Sequence, residues 1–182
     1  ETYFGTPYPY EKLDLIAVPE TFGGAMENVG AITYDEQLML MDDNSPLDQR
    51  RDYASTHAHE MSHMWFGDLV TPAWWNDIWL NESFASWMQN KAAQAYWPEG
   101  QFDRETLKGA LGAMVNDSLA SARQIREPVD NNDEINSAFD DITYEKGGGV
   151  LAMLEHYVGE KQFQAGVRLH LKRHADSTAT AE

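Results

Sequence analysis

The chain contains no cysteine, so disulfides and thiolate-held metals are excluded. Any metal must then rest on histidine and carboxylate. Basic side chains are scarce: 13 Lys and Arg stand against 30 Asp and Glu, a formal net charge of −17. Nucleic acid and anionic membranes are bound through clustered Lys and Arg, so neither is expected as a partner. The acidity suits a site that attracts cations, a metal ion or a peptide ammonium, and equally suits a surface kept soluble by its charge. No apolar run approaches the roughly 18 residues that a membrane-spanning helix needs. The start, Glu1-Thr2-Tyr3-Phe4-Gly5, lacks the basic-then-apolar order of a signal peptide. There is no initiator Met, and the chain breaks off mid-phrase at Ser177-Thr178-Ala179-Thr180-Ala181-Glu182. An excerpt of a longer protein is therefore expected, with any targeting signal outside it, and the compartment stays open.

What is present fits one globular domain: 182 residues, 42% hydrophobic and 24% charged. No internal repeat or low-complexity segment interrupts it. Residues 1–43 read as β-rich, with strand-like runs at Leu13–Val18 and Ala31–Tyr34 separated by the turn-prone Pro19 and Gly23-Gly24. From residue 44 the pattern turns helical. Ser45-Pro46-Leu47-Asp48 offers a Ser cap, Pro at the first helical position and an acid in the first turn, which predicts a helix from there to about Phe66, stopped by Gly67. A second helix is expected from Asn76-Asp77 to before Pro98, and a third over Phe102–Ala122. Further helices are expected at Ile142–Val158 and Lys161–Arg173. Strands first and helices afterwards predict an α+β fold, mostly helical, in three stretches: 1–43, 44–97 and 98–182.

The chemistry concentrates in His59-Glu60-Met61-Ser62-His63, an H-E-x-x-H pattern. Residues four apart share a helix face, so His59 and His63 can reach one ion. Glu60 is turned about 100° from His59, beside the ion rather than on it, where it can deprotonate a water. Alone, the pattern also fits a solvated helix face with two incidental histidines. Glu82 lies on the next predicted helix, nineteen positions after His63, and two antiparallel helices would return it to the ion. Two His and one Glu leave a fourth position open, as catalytic zinc requires.

H-E-x-x-H, eighteen residues and then Asn81-Glu82 is similar to the gluzincin aminopeptidases, the aminopeptidase N and leukotriene hydrolase family. The neighbouring words match too: Met64-Trp65-Phe66-Gly67-Asp68-Leu69-Val70-Thr71, Trp74-Trp75-Asn76-Asp77 and Trp79-Leu80-Asn81-Glu82. Many relatives have Gln where Met64 stands, which leaves the ligands and base intact. The resemblance covers essentially the whole chain and implies a thermolysin-like (zincin) catalytic domain with an N-terminal β region, incomplete at both ends. It implies one Zn²⁺ held by His59, His63 and Glu82, with Glu60 as general base. Gly24-Ala25-Met26-Glu27-Asn28 matches the family's G-x-M-E-N word, an edge strand beside the zinc whose Glu binds the substrate ammonium. Read without the family, it is a glycine turn entering a strand, with Glu27 in solvent. Tyr144, in Tyr144-Glu145-Lys146-Gly147, matches the family's oxyanion tyrosine; periodicity alone makes it a packing aromatic.

The expected partners are peptides with a free N-terminus and other domains of the same polypeptide. Three rivals stay open: an endopeptidase on the same zinc set, an epoxide hydrolase as in one branch of the family, and a binding module without catalysis. His57 faces away from His59 and reads as structural, while His156, His170 and His174, far along the chain, read as surface or packing residues. Trp65, Trp74, Trp75 and Trp79 read mainly as core. Gly147, Gly148 and Gly149, unusual inside a helix, suggest close helix approach near the site.

Overall fold

Three strands come first in the chain: β1 (Asp14–Val18), β2 (Ala25–Met26) and β3 (Ala31–Asp35). They form one sheet in the order β1-β3-β2, with β1 parallel and β2 antiparallel to β3. The computed structural model describes residues 1–20 and 24–181; Gly23 of the expected turn lies outside them. Alternation along β3 buries Ile32 and Tyr34 completely, which makes it the central strand. Residues 1–13 are turns and irregular chain rather than strand, and a single helical turn, α1 (Glu36–Met39), follows β3. The first 43 residues thus hold less strand than their composition suggests.

Helix α2 (Leu47–His63) begins one residue later than the cap signal indicates. Pro46, not Ser45, occupies the cap position, because the Ser45 hydroxyl is already used in closing a turn, accepting from Asp42 N at 2.9 Å. The Pro46 carbonyl accepts from Arg50 N, and Asp48 lies in the first turn, where the helix dipole favours it. The helix ends at His63 rather than Phe66: Trp65 N and Phe66 N both turn back to Ser62 O, and Gly67 then takes a φ of +122°.

After the short strand β4 (Val70–Pro72) comes α3 (Ile78–Tyr96), introduced by a 3₁₀ turn at Trp75–Asp77. Buried residues occur all round its first four turns, so α3 is the central helix of the molecule. Gln89 reaches Ser55 while Asn81 reaches His63, so α2 and α3 run antiparallel. Helix α4 (Glu105–Asp117) is shorter than expected at both ends. Residues 102–104 are 3₁₀, and at the far end the Ser118 hydroxyl donates to Val115 O while the chain turns away.

The last helices are α5 (Gly147–Val158) and α6 (Glu160–His174), followed by β5 (Ser177–Ala179), which pairs in parallel with β4. The expected helix over Ile142–Val158 is in fact a π-helical turn at Ile142–Lys146 running into α5. The glycines explain its packing on α3. A Cβ at Gly147 would stand 1.9 Å from the Ser83 hydroxyl, and one at Gly149 would stand 2.9 Å from Ala110 Cβ on α4. Phe4, Trp65, Phe66, Trp87, Phe163 and Leu171 join the sheet residues in one core beneath α2 and α3. The whole is α+β and mostly helical. Among the described residues no helix is long and apolar enough to cross a membrane.

Candidate metal centre and active site

His59 and His63, one turn apart at the end of α2, direct their Nε2 atoms at Glu82 on α3. The distances to Glu82 Oε2 are 3.2 Å and 3.3 Å. All three residues are buried, and one ligand atom from each lies within 4.8 Å of the others. The two other ring nitrogens are occupied. His59 Nδ1 donates to Gln89 Oε1 at 2.7 Å, and Gln89 is held in turn by its own bond to Ser55. His63 Nδ1 faces Asn81 Oδ1 at 2.5 Å and Phe66 O at 3.0 Å. Acceptors on both Nδ1 atoms fix the tautomers that leave each Nε2 lone pair directed inward, the outer support that metal-binding histidines have. Two imidazoles and a carboxylate are a borderline-hard donor set that fits Zn²⁺.

The electrostatics of the metal-free cluster say the same. Burial would lower His63, but its hydrogen bond to Glu82 and the charges of Glu82, Glu27 and Glu60 hold it well above the ordinary imidazole range. Burial would raise Glu82, yet the adjacent imidazoles of His59 and His63 hold it below the usual carboxylate range. The carboxylates of Glu82, Glu27 and Glu60 thus favour positive charge at this site. Glu60, beside the cluster and 5% exposed, is pushed up to about 8 by burial, with His63 opposing and Glu27, Glu82 and Asp68 adding.

Tyr144 comes from the π-helical turn. Asp140 caps that turn, its Oδ1 accepting from Ile142 N and Thr143 N. The Tyr144 ring stacks on His59 with centroids 5.9 Å apart. Burial raises its hydroxyl far above the ordinary phenol, and the carboxylates of Glu82, Glu27 and Glu60 add to this. It therefore stays protonated and able to donate.

The Gly24–Asn28 word divides in two. Gly24, at a φ of +85°, accepts from Asp35 N at 2.7 Å and turns the chain into β2, the edge strand. Ala25, Met26 and Glu27 line the cleft. One carboxylate oxygen of Glu27 lies within 4.8 Å of ligand atoms of both Glu60 and His63. Asn28 does not line it: the side chain is exposed and donates to Thr33 Oγ1, bracing the turn between β2 and β3.

These residues sit in an open cleft of about 1240 Å³ that is also lined by Trp74, Trp75, Ile135, Phe139 and Tyr144. Trp74 and Trp75 therefore line the cleft, and Trp74 is half exposed, whereas Trp65 belongs to the core as expected. Trp74 Nε1 donates to Val129 O at 2.7 Å, tying the lining to the following loop. Met64 is fully buried and accepts from the Tyr8 hydroxyl, a packing role away from the ligands. His57 shares a hydrogen bond with the Tyr34 hydroxyl and stacks on Tyr53, which makes it a strut between β3 and α2. Sequence reasoning assigned no role to Asn81, Gln89 or Asp68. Asp68 lines the cleft, and burial followed by the Glu27 charge pushes its carboxyl up to about 7.

Residues 1–182 match the Peptidase family M1 domain over their whole length. The chain belongs to the peptidase M1 family. It is 45% identical over 180 residues to "Leucyl aminopeptidase" of Saccharolobus solfataricus, covering 98% of this chain and 23% of that protein. It is 44% identical over 181 residues to "Probable aminopeptidase 2" of Sulfurisphaera tokodaii (99% and 23%). It is also 44% identical over 174 residues to "Endoplasmic reticulum aminopeptidase 2" of Homo sapiens (95% and 18%). The chain thus spans about a fifth of the length of these M1 relatives.

Proposed function

We propose that this M1 chain carries the catalytic centre of a zinc aminopeptidase, on a thermolysin-like domain, that removes residues from the free N-termini of peptides. The observation that carries this reading is the grouping of the Glu27 carboxylate with Glu60 and His63, on the same cleft as His59 and Glu82. The names of the relatives support the same activity. Its other partners are further domains of a longer polypeptide, in keeping with the fifth of each relative that is matched.

His59, His63 and Glu82 hold the metal in this reading. Zinc, when bound, supplies positive charge that polarises the scissile carbonyl and acidifies a water to a pKa of about 7. Glu60 takes the proton of the attacking water and delivers it to the departing amine, a task suited to a carboxylate whose environment makes it proton-avid. Tyr144 donates its hydroxyl to the oxyanion as charge develops there. The edge of β2 pairs with the extended peptide backbone. Glu27 pairs with the terminal ammonium, so the first peptide bond and no later one reaches Glu60.

The test is an assay of the full-length protein on matched free and N-acetylated aminoacyl substrates, with and without a chelator, for wild type and Glu27→Ala. Losing one partner of a buried charge pair costs about 2–5 kcal/mol, roughly 30-fold or more in kcat/KM. Glu27→Ala is expected to lose at least that on free-amine substrates, to keep its zinc and to discriminate less against N-acetyl ones. Unimpaired cleavage of free-amine substrates by the variant refutes the reading. Equal cleavage of blocked and free peptides by wild type points instead to the endopeptidase.

A further inference from the structure

Asn81 stands immediately before Glu82 on α3 and touches two parts of the site at once. Its Oδ1 lies 2.5 Å from His63 Nδ1, and its Nδ2 lies 3.2 Å from Glu27 Oε1. The direction of the amide is forced. His63 Nδ1 also faces Phe66 O, a backbone carbonyl that only accepts, so Nδ1 carries the hydrogen. The amide end facing it must then be the oxygen, which leaves the NH₂ for Glu27. Asn81 is 5% exposed, so water competes weakly for either bond.

The chain around Asn81 makes room for this arrangement. Gly67, just beyond α2, holds a φ of +122°, and a Cβ there would stand 2.3 Å from Asn81 Oδ1 and 2.9 Å from its Cγ. Glycine is required at this position twice over, by the backbone and by the amide that lies against it. Glu27 hangs from an edge strand two residues long, with no neighbour on its outer side among the described strands. The Asn81 amide is what ties its carboxylate to α3.

We infer that Asn81 is a positioning residue that sets the Glu27 carboxylate in register with the metal ligand His63, so that recognition of the ammonium and placement of the scissile carbonyl are fixed by one amide. One Glu27 oxygen is held by the bond, and a carboxylate with about four lone-pair sites still has capacity for an ammonium. The inference rests on the reading of Glu27 given above. A His63–Asn81 contact alone would serve the metal only; the second bond makes the amide a ruler between the two halves of the substrate site.

The experiment uses the full-length, zinc-loaded protein and its metal-free form. Asn81→Asp keeps an acceptor for His63 but replaces the donor to Glu27 with a like charge. Expected is a rise in KM on free-amine substrates of about 10- to 100-fold, the scale of one hydrogen bond to a charged group. The effect on kcat should be much smaller, and zinc affinity measured by chelator competition should not weaken. Calorimetric binding of an aminoacyl amide to the metal-free protein should weaken by a similar factor. In a Glu27→Ala background the same substitution should change KM little, because the residue acts through Glu27. Gly67→Ala, whose Cβ would displace the Asn81 oxygen and with it both bonds of the amide, is expected to raise KM by a similar factor with zinc affinity falling too, and serves if Asn81→Asp fails to fold. Equal losses in the two backgrounds, with Glu27→Ala itself costly, overturn the coupling and leave the ammonium reading standing. A loss confined to zinc affinity or melting temperature also overturns it. A silent Glu27→Ala overturns both.

Discussion

Glu60 is surrounded by reasons to hold a proton: burial first, then the carboxylates of Glu27, Glu82 and Asp68, against the single opposing charge of His63. An amide at this position keeps the shape and the ability to orient water but cannot accept a proton. Glu60→Gln is therefore expected to lose about 10²–10⁴-fold in kcat, with zinc content unchanged. A variant that retains half of the wild-type rate refutes the general-base role. The His63–Glu82 pair gives a second expectation. In the metal-free protein His63 is held protonated well above the ordinary range, and a metal needs that lone pair. Zinc loading near neutral pH should then release about one proton, and zinc affinity should fall as the pH falls. Calorimetry in buffers of different ionisation heat measures the release; no release means that His63 is not the displaced acid. Of these residues, His59, His63 and the adjacent Glu60 were legible from spacing, because helical geometry turns a spacing of four into a shared face, and Glu82 only with the added expectation that two helices run antiparallel. Asn81, Gln89 and Asp68 were not, because each acquires its place only from a partner on another element.

At the scale of elements, periodicity located α2, α3, α5 and α6 to within a few residues, and chain-end chemistry misjudged their boundaries. Ser45 is a good cap by composition, but a hydroxyl makes few bonds, and the turn at Asp42 takes this one. The π-helical turn at Ile142–Lys146 has no signature in the sequence, since one extra residue per turn arises from packing rather than pattern. Strands β4 and β5, three residues each, are too short to carry an alternation. The glycines of α5 were legible as an oddity, and the structure supplies the reason. The Ser83 hydroxyl donates to Thr143 O at 2.6 Å in the space beside Gly147, which ties α3 to the turn that presents Tyr144. Gly147→Ala should break that bond and cost about 1–3 kcal/mol of stability, lowering kcat along with it. Gly166, in the interior of α6 with open space at its Cβ position, is the control. There an added methyl should be neutral or stabilising by up to about 1 kcal/mol. Thermal melts of both variants check the pair, and equal shifts would show that the close approach to Ser83 is not what the glycine serves.

The whole molecule carries its apolar surface unevenly. Single exposed hydrophobic residues are ordinary, but α4 exposes Leu107, Leu111 and Val115 at intervals of four, and Leu119 follows just past its end. The adjacent α5 exposes Val150, Met153, Leu154 and Tyr157. Gly149 lets the two helices meet at Ala110. Across the molecule, β1 exposes Leu15 and Ile16, and its outer edge has no partner among the described strands. Exposed apolar rows of this kind on an isolated chain drive association, and an open strand edge templates it. The net charge of −17 opposes this by keeping copies apart. The two effects respond differently to salt, because ions screen charge within about 10 Å at 0.1 M and leave apolar contact intact. The 182 residues expressed on their own should therefore be marginally stable, with self-association that strengthens as salt is raised from about 0.05 to 0.5 M. Leu111→Glu with Met153→Glu should weaken that association at every salt concentration, since both side chains are more than half exposed and neither lines the cleft. Sedimentation across the salt series measures it. A chain that stays monomeric throughout, with a sharp cooperative melt, would show that the α4 and α5 rows and the β1 edge are tolerated by this segment alone.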